Sequence, residues 1–173
     1  DTAVQESKQR VLLALRSNGY RVATGRTITV NLAPADLRKA GPRYDLAIAL
    51  GVLLVNGSLF VDDAQLKGMA FLGELALDGS LRHVSGVLPA AIACRAQGIS
   101  TIVVPTANGP EAALIPGLTV VAAEHIVEVI QFLQGERGPS PVLPPACSPA
   151  HTADYVDFAD VRGQEHAKRA LEI

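Results

Sequence analysis

Apolar residues Val4, Val11, Leu12 and Leu15 recur at helical spacing between Lys8, Arg10 and Arg16, and Gly19 follows as a stop, which predicts an amphipathic helix from Thr2 to about Asn18. Thr2, with Gln5 three residues later, has the form of a capping box at its start. The period changes over residues 26–32, where Ile28, Val30 and Leu32 alternate with Thr27, Thr29 and Asn31, the pattern of a half-buried strand. A turn rich in Pro, Gly and basic residues, with Pro34, Asp36 and Gly41-Pro42, then leads into a helix from about Tyr44 to Val55. Leu46, Ile48, Ala49, Leu50, Val52 and Leu53 leave that helix almost no polar face, so it is expected to be central and buried.

Farther along, Asp62–Leu66 predicts one short helical turn. Residues 69–77 and 80–84 flank Asp78-Gly79, and an Asp-Gly pair between strand-like runs predicts a hairpin. Pro89 suits the first turn of a following helix that faces Val87, Ala90, Ala91 and Cys94 inward and ends at Gly98. A short buried strand over 99–104 closed by Pro105, a brief helix at 109–113, a strand at 118–122 and a helix at 124–133 complete an alternating order that favours parallel pairing. Five prolines in residues 134–150 mark a linker, and Tyr155–Gln164 leads into another helix from about Glu165. Three regions are therefore expected: a domain over 1–133, a linker over 134–153, and the start of a second domain over 154–173. The opening on a helix cap leads us to expect further sequence, including the first strands of the domain, upstream.

Composition narrows the class. About half of the 173 residues are apolar, and a domain of this size buries enough surface to need no staple. Cys94 and Cys147 fit no metal or redox spacing, so a reduced, cytoplasmic setting is the simpler expectation. No apolar run reaches the ~18 residues of a membrane span, which argues against a membrane partner. The formal charge of −2 conceals an uneven distribution. Residues 1–43 carry eight Lys or Arg against three acids, net +5, whereas residues 44–133 carry three against eight, net −5. A domain polarised in this way can face nucleic acid or stack head to tail with copies of itself; scattered, cancelling charge is the alternative.

The joint between the expected strand and the apolar helix, residues 31–51, is the first place to look for chemistry, because helix N-termini offer unpaired N–H groups and partial positive charge. Elsewhere the candidates are weaker. Cys94 reads as a small core residue rather than a nucleophile. His125 and Glu128 lie three apart on one helix, but no third ligand accompanies them, and a solvated face is the expected reading.

Three segments together resemble a known family. Asn31–Leu53, with Val-Asn-Leu-Ala-Pro-Ala-Asp-Leu and Asp-Leu-Ala-Ile-Ala-Leu-Gly, is similar to the N-terminal region of the YifB/ComM-type, magnesium-chelatase-related AAA+ ATPases. Phe71–Pro89 resembles the same family and the Lon-protease-like fold. Asp160–Ile173, with Gly163-Gln164 and Ala167-Lys168-Arg169-Ala170, resembles the AAA+ segment just before a Walker A loop. The resemblance implies an α/β (α+β) domain of the Lon-protease-like, ribosomal-protein-S5-domain-2-like type, followed by a truncated AAA+ start. It further implies a parent ATPase that is hexameric and acts on DNA in uptake or recombination, as a helicase or branch-migration motor using ATP and Mg2+. A chaperone-like or chelatase-type machine acting on protein or tetrapyrrole would share these residues.

The resemblance also says what this chain lacks. Active Lon-like peptidases use a Ser-Lys dyad, and the matching positions here hold Arg43 and Leu88. A guanidinium is no nucleophile and an isobutyl group accepts no proton. Ser85 and Lys39 stand nearby as the members of a conceivable re-sited dyad. The chain has no Gly-Lys dipeptide, so no Walker A loop and no bound cofactor is expected within it. Asp160, Val161, Gly163 and Gln164 would lie near nucleotide in the parent. Arg38, Lys39 and Arg43, with Arg21, Arg26, Arg82 and His83 as weaker candidates, are expected to contact DNA phosphates. Alternatively they pair with Asp45, Asp62, Asp63 or Glu74 of a neighbouring subunit.

Overall fold

The computed structural model describes residues 2–22, 28–33, 41–136, 138–144 and 160–171. Helix α1 (Thr2–Ser17) is followed by α2 (Asp45–Val55) and the short α3 (Asp63–Lys67), which Asp62 caps by accepting the Ala64 N–H at 2.9 Å. Strand β1 (Met69–Phe71), a hairpin of β2 (Glu74–Leu75) and β3 (Leu81–Arg82), and helix α4 (Val87–Ala96) come next. Strand β4 (Thr101–Pro105), a 3-10 turn (Thr106–Asn108), α5 (Gly109–Ala112), β5 (Thr119–Ala123) and α6 (Ile126–Leu133) complete the main body. Helix α7 (Glu165–Leu171) lies near the C-terminal end. The mixed α/β architecture expected from the sequence is what the chain adopts.

The central sheet has the order β1-β4-β5 and is wholly parallel. Alternation along its strands divides the interior in two. Val103, Val121 and Ala123 face one core with α1, α2 and α6, whereas Ile102, Val104 and Val120 face a second core with α4 and α5. Helices thus cover both faces, which is why β4 and β5 read as continuous apolar runs rather than alternating ones. Cys94 belongs to the second core, and burial pushes its thiol pKa up, as suits a packing residue. Asn108, fully buried, clamps the chain entering α4 by accepting the Val84 N–H (3.0 Å) and donating to its carbonyl (2.9 Å).

Two expectations need correction. Residues 69–77 do not form one arm of a hairpin: 69–71 join the parallel sheet as β1, and only 74–75 pair antiparallel with 81–82. The break falls at Gly73, which donates to the Arg43 carbonyl (2.9 Å) and accepts from the Leu46 N–H (3.1 Å), so the chain leaves the sheet to seal the start of α2. The second correction concerns residues 26–32. Residues 26 and 27 lie outside the described residues, and residues 28–33 form no strand. Thr2 and Gln5 side chains likewise lie outside the described residues, as does Cys147.

The hairpin turn is closed by Asp78, whose Oδ1 accepts both the Ser80 N–H (2.9 Å) and its hydroxyl (2.7 Å). These two bonds, the backbone one foremost, hold its carboxyl below the ordinary value of 3.8. A depressed carboxylate contributes stability that is complete above the ordinary value and is lost as pH falls through the folded-state value. NMR titration of the Asp78 carboxyl is expected to show a midpoint below that ordinary value, and Ser80→Ala is expected to move it back up. No helix of the described residues is long and apolar enough to cross a membrane.

Candidate functional site

The joint entering α2 is built around one buried carboxylate. Asp45, in the first turn of α2, is fully buried and accepts hydrogen bonds from Ser7 Oγ, from Arg10 Nε (2.8 Å) and a terminal guanidinium nitrogen (3.3 Å), and from the Leu75 N–H (3.3 Å). A single side chain thereby ties α1, α2 and the hairpin together. Hydrogen bonding to Asp45, partly offset by burial, raises the Arg10 pKa. Asp45 therefore cannot serve as a neighbour's partner for basic residues, as the sequence allowed; it is consumed inside its own domain. Nothing in its sequence context singled it out beyond its position at the head of an apolar helix.

Arg43 sits just before this network. Its backbone carbonyl is held by Gly73, and its guanidinium reaches the start of α4: a terminal nitrogen lies 3.2 Å from where a Cβ on Gly86 would be. Gly86 adopts φ +83°, a left-handed conformation that a side chain would strain, and it caps α4 without any side-chain hydrogen bond. The fold thus brings Arg43 to the same place as the first turn of α4, where Leu88 lies. Arg43 and Leu88, the positions that the resemblance matched to a Ser-Lys dyad, hold a guanidinium that reaches Gly86 and an isobutyl group two residues after that glycine. Ser85 is exposed beside them, and Lys39 lies outside the described residues.

The remaining basic candidates divide. Arg82 in β3 and His83 just after it are exposed on the chain that leads to Gly86. Arg21 is exposed, its carbonyl accepting from Asn56 Nδ2. Arg26, Arg38 and Lys39 lie outside the described residues. Of the acidic candidates, Asp62 and Asp63 are exposed beyond the other end of α2, and Glu74 lies opposite Arg82 in the hairpin.

His125 and Glu128 are not the solvated face expected of them. His125 caps α6, its Nδ1 accepting the Val127 N–H (3.3 Å) while Nε2 meets the Asp78 carbonyl (3.0 Å), and Glu128 accepts the Glu124 N–H (2.9 Å). Both are half-buried, and the histidine fastens the hairpin turn to the helix; among the described residues no group of His, Cys, Asp and Glu could hold a metal ion.

Asp160, Val161, Gly163 and Gln164 are exposed and precede α7, with Gly163 at φ +74° and Gln164 at φ +60°. A triphosphate needs a lysine and a hydroxyl after a glycine-rich turn, and no Gly-Lys dipeptide follows here. These residues do not fit a nucleotide's phosphates by themselves, and no step of chemistry runs through ATP on them.

The chain matches the family described as ChlI, subunit ChlI of Mg-chelatase, over residues 1–108. Along its whole length it is 38% identical to competence protein ComM of Haemophilus influenzae and 40% identical to the uncharacterized protein YifB of Salmonella typhimurium, covering 34% and 33% of those proteins. Lon protease 2 of Bacillus subtilis is 27% identical over 126 residues, 72% of this chain and 22% of the protease. The chain spans about a third of the length of the ComM and YifB relatives it matches.

Proposed function

Because the chain belongs to the magnesium-chelatase-related ChlI family, in its YifB/ComM branch, we propose that it is the non-catalytic N-terminal module of an AAA+ ATPase that processes DNA. In this reading the motor, its ATP and its Mg2+ belong to the rest of a hexameric, cytoplasmic parent, and the module holds DNA. One relative is named a competence protein, which supports DNA over other substrates. The observation that carries the reading is the Arg43 guanidinium lying against Gly86 at the start of α4, where a working peptidase would present its dyad. In support of this reading, Arg43 brings a cation to a helix start that no side chain caps, where it could meet a phosphate.

The test is a titration with forked or four-way DNA at several salt concentrations. Each phosphate that the protein no longer neutralises should flatten the log–log salt dependence by about one unit, so Arg43→Ala is expected to reduce the slope by about that much and weaken binding by roughly tenfold at low salt. Binding and slope unchanged by Arg43→Ala would overturn the assignment of this site. A fluorophosphonate probe labelling a single serine would instead favour a re-sited peptidase using Ser85 and Lys39.

A second reading is supported by where the charges fall. Arg43 precedes α2 and Asp62-Asp63 follow it, with eleven helical residues, ~16 Å, between them. Opposite charges at opposite ends of one helix suit a head-to-tail contact with another copy in a ring. The two readings are compatible. A chelatase-type or chaperone-like parent acting on tetrapyrrole or protein would share the module, and ATP turnover of the whole protein that ignores DNA would favour it.

A further inference from the structure

Helix α4, Val-Leu-Pro-Ala-Ala-Ile-Ala-Cys-Arg-Ala, has no polar side. Val87, Ala91 and Cys94 face the second core, but Pro89, Ile92, Ala93 and Ala96, which share the opposite face by their spacing, are all exposed, Ile92 by 53%. The helix's one charged residue, Arg95, is turned aside: its guanidinium carbon lies 2.9 Å from where a Cβ on Gly117 would be. A helix that is apolar all round belongs between two packed layers, and the described residues supply only one.

The other face of the sheet carries a surface that matches it. Just beyond the end of α2, Leu54, Leu59, Phe60, Val61, Asp62 and Asp63 line a hollow of about 510 Å³, and Phe60 stands 78% exposed there. Leu59 roots this segment in the first core, whereas α4 packs on the second. One copy of the chain therefore cannot bring its own two surfaces together.

We propose that they are the two halves of a contact between copies of this chain. Phe60 of one copy lies on Ala93 and Ala96 of the next, Ile92 enters the hollow, and Asp63 meets Arg43 at the head of α4. Small residues give a phenyl ring a close seat, and buried aromatic anchors carry much of the energy of an interface. The charges fall in step with the apolar contact. Phe60 and Asp63 are three residues apart, at most ~10 Å. Ala93 and Gly86, where the Arg43 guanidinium lies, are seven residues apart along the helix, also ~10 Å. No side chain caps this helix end, so a carboxylate arriving there meets its unpaired N–H groups as well. Because the two surfaces differ and lie on opposite faces of the sheet, the contact is heterologous and repeats from copy to copy. It rests on the head-to-tail reading above and gives that reading an apolar anchor and the face that receives it.

Sedimentation equilibrium of the wild-type chain over a range of concentrations, with two variants changed at exposed side chains, tests the contact. The wild type is expected to gain mass with concentration. Phe60→Asp and Ile92→Asp are each expected to weaken association about tenfold or more while keeping the wild-type urea midpoint. Mixed in equal amounts, the two variants are expected to form a dimer and nothing larger, since Phe60→Asp copies keep the α4 face and Ile92→Asp copies keep the hollow. A wild-type chain that stays monomeric throughout would overturn the head-to-tail reading and this contact with it. Association that survives both changes, or that is lost and not restored by mixing, would overturn this contact alone and leave head-to-tail assembly to other residues.

Discussion

Arg10→Ala is expected to destabilise the chain by about 3–5 kcal/mol in urea-induced unfolding, and to cost more than Asp45→Ala. The asymmetry follows from exposure. The Arg10 side chain is 24% accessible and can turn toward water once its partner is gone, whereas Asp45 is fully buried and cannot. Removing Arg10 leaves a carboxylate with only the Ser7 hydroxyl and the Leu75 N–H to stabilise it. Removing Asp45 eliminates the charge and strands neutral donors at about 1–3 kcal/mol. Replacing both residues by apolar ones of similar volume is expected to recover most of the loss. If Asp45→Ala proved the costlier single change, the hydrogen bonds it accepts, rather than the charge pair, would hold the three elements together.

The second large effect is expected at Gly79. Its φ of +95° is strained for any residue with a side chain, at about 1–3 kcal/mol. A Cβ there would also collide with the Asn18 amide and lie 2.9 Å from His125 Cε1. Neither neighbour can yield cheaply. The Asn18 amide donates to the Ala14 and Asp78 carbonyls at 2.9 and 2.8 Å, and His125 is fixed between Val127 and Asp78. Gly79→Val is therefore expected to lower the unfolding free energy by about 3 kcal/mol or more, with a lower denaturation midpoint and an unchanged m-value. Gly57→Ala, also at positive φ but with nothing within 4 Å, serves as the control for backbone strain alone.

Much of the fold was legible because strong local signals agree with it. The period of α1, the apolar run of α2, the Asp-Gly turn and the alternation of strands with helices after residue 85 all lie where the chain places them. The misreadings share a cause: each depended on contacts far away in sequence. A strand over 69–77 looks continuous until Gly73 is drawn to Arg43 and Leu46 across thirty residues, and the run at 26–32 has strand propensity but, in its described part, no strand to pair with. At the candidate site, Arg43 was singled out only because a resemblance supplied the position to inspect. Asp45 was offered only as a partner for a neighbouring subunit, because no period or spacing shows that Ser7 and Arg10, nearly forty residues upstream, will converge on it.

The segment after α6 bears on how the parallel sheet behaves in a crowded solution. Pro141 bridges to Val121, and Val142 donates its N–H to the Val120 carbonyl at 2.8 Å, so this stretch lies along β5, the outer strand. Proline has no N–H to offer a further strand, and Val142 turns its side chain onto the second core beside Gly109. At the sheet's other border β1 is only three residues long. An apolar parallel sheet is a standing invitation to intermolecular stacking, and here both borders are blunted, one by brevity and one by a proline-bearing cover. The proline-rich stretch is thus more than a spacer: its first residues guard the domain against self-adhesion.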